Sequence, residues 1–129
     1  MGETKTVDLE IVRGDTLKIS LEFVKELEDG TTVPDDISNT VISFTVKPDY
    51  VTKDEDAPIN KDFVASMYEV SSGVVVLIVD TSNLEAKTYL YDVQAVKYSP
   101  DGVPIEIRTL LIGKLKVKPD VTKRISQIL

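Results

Sequence analysis

Leu84-Glu85-Ala86-Lys87-Thr88-Tyr89-Leu90-Tyr91-Asp92-Val93-Gln94-Ala95-Val96 is the stretch that decides how the rest of the chain is read. From Tyr89 onward, apolar or aromatic residues recur at every second position. Tyr89, Tyr91, Val93 and Ala95 fall on one face, and Leu90, Asp92, Gln94 and Val96 on the other, because side chains alternate across a strand. The stretch reads as a corner that feeds a long strand with one face on a core.

Working outward, the same period returns on both sides. Residues 5–12 alternate, with Val7, Leu9 and Ile11 inward and Asp8 and Glu10 outward, as in a half-buried strand. Arg13-Gly14-Asp15-Thr16 interrupts it with turn formers. The tripeptide Arg13-Gly14-Asp15 matches a cell-adhesion signal, but three residues carry little specificity, and a glycine turn or bulge between strands is preferred. Leu17, Ile19, Leu21 and Phe23 form the next alternating set. Asp29-Gly30 supplies a turn, and Asn39 is expected in the left-handed region just before a strand over residues 40–47. Ile42, Phe44 and Val46 mark the core face of that strand, and Pro48 ends it.

Residues 49–62 are polar and acidic and are expected to form an exposed loop. Residues 63–70 fit either a strand or a short helix. Strand is preferred because Ser71-Ser72-Gly73 resembles a hairpin turn into residues 74–80. That arm is apolar on both faces, which suits a strand covered on both sides or one whose outer face meets a partner. Residues 80–84 form a polar link, with a short helical turn capped by Asp80 or Thr81 as an alternative. Ser99-Pro100-Asp101-Gly102 is a strong turn signal. Residues 105–111 and 114–118 make the last strand, with a bulge expected at Gly113. A four-residue loop there places Asp92 nearly opposite Arg108 and Thr109, which predicts an Asp92–Arg108 charge pair.

The chain of 129 residues fits one domain, expected over residues 1–120, followed by a tail over residues 121–129. Ile125, Ile128 and Leu129 give the tail, or helical turn, three aliphatic side chains that are expected to dock. With no cysteine, a disulfide-built secreted scaffold is excluded. The first residues lack the apolar core of a signal peptide, and the longest apolar run, residues 74–79, is too short to cross a bilayer. A soluble protein made in a cytoplasm is the expectation. There are 22 acidic residues against 15 basic ones, a net charge of −7. That balance argues against nucleic acid and anionic membranes as partners, since neither meets a basic face.

There is no histidine and no tryptophan, so Ser–His and Cys–His triads and the usual zinc sites are impossible. Neither a phosphate-binding loop nor a dinucleotide fingerprint occurs. Paired acids can hydrolyse glycosides, but nothing in the sequence selects a pair. No catalytic, cofactor-binding or metal residue is assigned, no cofactor is expected, and the chain is read as a non-enzyme. Asp54-Glu55-Asp56 and Asp35-Asp36 are candidate calcium ligands, but neither has the spacing of a known calcium loop. Tyr50, Tyr68 and Tyr98 are the candidates for an aromatic platform that stacks on sugar.

Leu84 ahead of Tyr89 resembles the tyrosine corner of immunoglobulin-like sandwiches. A longer ordered set carries a second resemblance. It runs through Gly14-Asp15-Thr16, Asp29-Gly30, Asp36-Ile37-Ser38-Asn39-Thr40-Val41-Ile42-Ser43-Phe44-Thr45-Val46-Lys47 and Gly73 before an apolar strand. It continues with Asp80-Thr81-Ser82-Asn83-Leu84, Tyr89-Leu90-Tyr91-Asp92-Val93-Gln94, Gly113-Lys114-Leu115-Lys116-Val117 and Asp120-Val121-Thr122. In order and spacing this set resembles the small N-terminal β-sandwich domain of phage baseplate upper proteins, over nearly the whole chain. Asn39 and Lys87 stand where that family commonly has glycine.

The resemblance implies an all-β, immunoglobulin-like antiparallel β-sandwich of about seven to eight strands. It implies a structural component of a phage or prophage virion, of the tail, baseplate or fibre-attachment type. Its partners would be other virion proteins and copies of itself in a homo-oligomer, and its location the virion after synthesis in the host cytoplasm. It carries over no catalytic residue. A carbohydrate-binding or adhesin module for host surface glycans is the alternative.

Overall fold

The computed structural model describes residues 4–121. Within them the chain forms β1 (Lys5–Thr6), β2 (Leu9–Val12), β3 (Thr16–Glu22), β4 (Val24–Glu26), β5 (Thr32–Pro34), β6 (Thr40–Lys47), β7 (Ile59–Val64), α1 (Met67–Ser72), β8 (Val74–Asp80), β9 (Thr88–Tyr98) and β10 (Pro104–Lys118). A six-stranded sheet runs in the order β1-β10-β9-β6-β7, with β2 also on β10. β3 and β8 form a separate antiparallel pair, and β4 and β5 a small hairpin. The fold is all-β and sandwich-like, as expected.

One core joins the two layers. Ile42, Phe44 and Val46 of β6, Tyr89, Tyr91, Val93 and Ala95 of β9, and Leu115 and Val117 of β10 meet Leu17, Ile19 and Leu21 of β3 and Val75, Leu77 and Val79 of β8. The period-2 pattern dictates these faces, because an apolar residue at every second position can be buried only by a sheet.

The strand count differs from the seven or eight expected, and so does one pairing direction. Residues 5–12 divide at Val7-Asp8 into β1 and β2, both parallel to β10. The Asp29-Gly30 turn carries its own short strands, β4 and β5.

The corner before β9 forms as read. The Tyr89 hydroxyl donates to the Glu85 carbonyl at 3.0 Å, and Leu84 is buried. Lys87 fits because its carbonyl accepts from Val117 N at 2.9 Å while its ammonium lies 5.2 Å from the centre of the Tyr89 ring. Asn39 is left-handed, with φ 55°.

Three local expectations are corrected. The acidic segment is only partly loop, since Asp54–Asp56 is a 3-10 turn and β7 begins at Ile59. Residues 67–72 are helical rather than strand. Ser66 Oγ accepts from Glu69 N, and the Glu69 carboxylate accepts from Ser66 N, a capping box that outweighs the period-2 pattern. Gly73 closes this helix in the left-handed region, where a Cβ would lie 2.6 Å from the Phe23 carbonyl. The 80–84 segment is the polar link expected, formed as a turn rather than the alternative helical turn, with Ser82 N on Asp80 Oδ1 at 2.9 Å and Leu84 N on the Thr81 carbonyl at 3.1 Å.

Gly113 is the third correction. It stays in register opposite Tyr91, and the irregularities of β10 fall at Pro104/Glu106 and Thr109/Leu111. Glycine is needed there because any Cβ would overlap the Val7 carbonyl where the first strand kinks.

The Arg13-Gly14-Asp15 turn connects the layers. Thr81, fully buried, donates to the Asp15 carbonyl at 2.7 Å and accepts from Gly14 N at 3.2 Å. Arg13 Nε donates to the Leu84 carbonyl at 2.8 Å, and Nη1 pairs with Asp120 at 3.4 Å. The adhesion tripeptide is thus built into the base of the sandwich. The tail residues Ile125, Ile128 and Leu129 lie outside the described residues.

Candidate functional site

The outer face of the large sheet carries a groove of about 410 Å³. Register sets its floor. Thr6, Ile112, Asp92 and Thr45 are successive neighbours across β1, β10, β9 and β6, and Lys114, Leu90 and Lys47 form the next row. Asp49, Tyr50 and Asp54 line it from the loop after β6, and Asp8 lines it from the kink between β1 and β2. Thr45, Lys47, Leu90 and Asp92 project outward because Phe44, Val46, Tyr89, Tyr91 and Val93 beside them in sequence point into the core.

Most of the charges in the groove are committed. Asp8 Oδ1 accepts from Lys114 N at 3.0 Å, and Lys47 pairs with Asp54. Asp49 accepts from the Thr52 hydroxyl at 2.7 Å and from Thr52 N at 2.9 Å, which holds its carboxyl below the usual range. The Asp92 carboxylate makes no hydrogen bond or ion pair among the described residues. Burial raises its carboxyl above the usual range and the nearby charge of Asp54 raises it further, with Lys47 working against them. The groove can therefore offer one free carboxylate beside an apolar floor of Leu90 and Ile112. Tyr50, 89% exposed, stands at its rim.

The predicted Asp92–Arg108 pair does not form. Asp92 sits between Ile112 and Thr45, whereas Arg108 lies opposite Ala95. Two bulged positions in β10, Ile105 and Leu110, move the register away from the simple four-residue hairpin. The Arg108 guanidinium lies 3.9 Å from Glu106 instead.

The candidate calcium loops are engaged locally. Asp36 accepts from the Ser38 hydroxyl at 2.6 Å and Ser38 N at 3.0 Å. No group of three acids positioned for a metal occurs among the described residues. Of the tyrosines, Tyr50 joins the groove, while Tyr98 lies at the opposite end of β9. The side chain of Tyr68 is outside the described residues. Sequence reasoning missed the groove, since Asp8, Tyr50, Asp92 and Lys114 are brought together only by register.

A second feature lies on the small sheet. The free edge of β8 is covered by side chains: Ser72 Oγ accepts from Val74 N at 3.2 Å, Glu69 Oε2 accepts from Val76 N at 3.2 Å, and Lys61 Nζ donates to the Ile78 carbonyl at 3.3 Å. These bonds show that Val74, Val76 and Ile78 turn their backbone groups away from β3. In an antiparallel ladder their partners Glu22, Ser20 and Lys18 turn theirs away from β8. On that far side of β3 the backbone groups of Lys18 and Ser20 meet no partner among the described residues. One edge of the sheet is closed and the other is open. The outer face of β8 is exposed, with Val76 at 41% and Ile78 at 50%, so cover on both sides, one of the two alternatives for this apolar arm, is not what forms.

No protein-family model matches the chain, and no curated protein matches it in sequence.

Proposed function

We propose that this domain is a structural component of a tailed-phage virion, of the tail, baseplate or fibre-attachment type, and that it acts through protein–protein assembly contacts. The observation that carries the assembly role is the open edge of β3. Soluble proteins normally blunt such edges, as β8 is blunted by Ser72, Glu69 and Lys61, because an unpaired ladder recruits strands. An edge left open beside a closed one suits strand addition from a partner. The virion setting rests on the ordered motif set and its resemblance to baseplate upper proteins. No residue is assigned a catalytic role.

Light scattering on the full chain tests this reading, alone and mixed with the products of the genes that flank its own. Assembly with itself or with those proteins is expected. A strict monomer at high concentration, unchanged by the added proteins, contradicts it.

The groove favours a second reading, a module that binds host surface glycans. Tyr50 would supply a stacking face, Asp92 an acceptor for vicinal hydroxyls, and Leu90 and Ile112 an apolar floor. Silence on a glycan array, with and without calcium, removes it.

A further inference from the structure

We propose that the occupant of the open β3 edge is a second copy of the same chain, joined β3 to β3 about a two-fold axis through Ser20. This rests on the assembly reading and names its partner. The exposed residues along β3 are Thr16, Lys18, Ser20 and Glu22. When this strand pairs antiparallel with itself and Ser20 lies on the axis, Lys18 faces the partner's Glu22 and Glu22 faces the partner's Lys18. Neither charge has an ion pair among the described residues of its own chain.

Backbone and charge agree on this register. Lys18, Ser20 and Glu22 are the residues whose peptide groups point outward, so each facing pair exchanges two bonds, about six in all. An axis through Lys18 would oppose two ammonium groups, and one through Glu22 two carboxylates; like charges directly opposite repel. Within Thr16–Glu22, only the axis through Ser20 sets unlike charges directly opposite. Self-complementarity of this kind is what a two-fold interface requires.

Burial points to the same edge. Leu17, Ile19 and Leu21 retain 7–8% exposure, whereas Val75, Leu77 and Val79 of β8 retain 0–2%. The residual access to the core is therefore on the β3 side. Pairing would continue the small sheet as β8-β3-β3-β8 and bring Ile19 opposite the partner's Leu21.

The chain has no cysteine, so Ser20→Cys introduces a single reporter. Across a hydrogen-bonded antiparallel pair the Cα atoms are about 5.5 Å apart, within disulfide range. Mild oxidation of full-length Ser20→Cys is expected to give a covalent dimer, and that of Val76→Cys, on the closed β8 edge, to give no cross-link. Lys18→Glu should weaken self-association about tenfold, and the swap Lys18→Glu/Glu22→Lys should restore it. Self-association that is untouched by Lys18→Glu, with no cross-link at position 20, overturns the β3 pairing while leaving the assembly reading standing. A chain that is monomeric at every concentration and ignores the flanking gene products overturns both.

Discussion

The Tyr91 hydroxyl donates to the Val7 carbonyl beside Gly113, tying the kinked edge strand to the middle of the large sheet. Three distant segments meet at this point, and each imposes a requirement on the others. Val7 leaves the ladder so that its carbonyl can reach Tyr91, and Gly113 must lack a Cβ to let it pass. Val7 N still donates to the Ile112 carbonyl at 2.9 Å, and Asp8 takes up Lys114 N, so the kink loses little hydrogen bonding.

Gly113→Ala is therefore expected to destabilise the fold by about 3 kcal/mol, through forced displacement of the Val7 backbone. Tyr91→Phe should cost about 1 kcal/mol, since it removes a part-buried hydrogen bond to the Val7 carbonyl. Urea denaturation with tyrosine fluorescence measures both. A Gly113→Ala loss smaller than that of Tyr91→Phe would contradict the close approach.

Glu69 has two tasks, capping α1 through Ser66 and covering the β8 edge at Val76. Ser66→Ala removes only the Ser66 Oγ acceptor of Glu69 N, leaves both bonds of the Glu69 carboxylate in place, and should cost about 1 kcal/mol. Glu69→Ala keeps that bond but removes the carboxylate from both Ser66 N and Val76 N, so it should open β8 to strand pairing and raise aggregation on heating. Turbidity during a thermal scan separates the two variants, and equal aggregation would count against the edge-covering role.

Stability should fall on acidification, with the sign set by carboxyls held low in the fold. The Thr31 hydroxyl lowers Asp29, that of Ser38 lowers Asp36 and that of Thr52 lowers Asp49, while backbone N–H groups of Ser66 and Ser82 lower Glu69 and Asp80. A lowered folded pKa means that the unfolded chain binds more protons as the pH drops. These contributions are complete above the ordinary values of 3.8 and 4.5 and are lost as the pH falls through the folded pKa values. Asp92 runs the other way, because its raised pKa makes ionisation unfavourable to the fold. Asp92→Asn should raise the thermal midpoint near about pH 7 and leave it unchanged near about pH 3. A constant offset at both pH values would contradict this.

For the groove, Tyr50→Ala and Asp92→Asn should each weaken any glycan binding about tenfold or more, while Tyr98→Ala should not. Titration of the full chain followed by amide chemical shifts reads this directly. Shifts clustered around Tyr98 instead would move the site away from the groove.

The faces of β3, β6 and β9 were legible because each burial pattern repeats at period 2, and the corner was legible in Leu84 and Tyr89. What escaped was set by long-range geometry. The register that parts Asp92 from Arg108 depends on the bulged Ile105 and Leu110, which look like ordinary strand residues in sequence. Gly113 resembled a bulge glycine, yet its cause is Val7, more than a hundred positions away. The helix at 67–72 was missed although its capping box is local, because Ser71-Ser72-Gly73 also suits a hairpin. The acids and lysines of the groove carry no spacing signal, since they come from four separate segments. The open β3 edge is likewise invisible in a strand that alternates as cleanly as its neighbours.

The most direct test of strand-mediated assembly is amide hydrogen exchange at Lys18, Ser20 and Glu22 as a function of protein concentration. Protection that rises with concentration at these three amides, while Val76 stays constant, is the expected result. Rapid exchange at all three at every concentration, in a sample that light scattering shows to be assembled, would contradict assembly through β3.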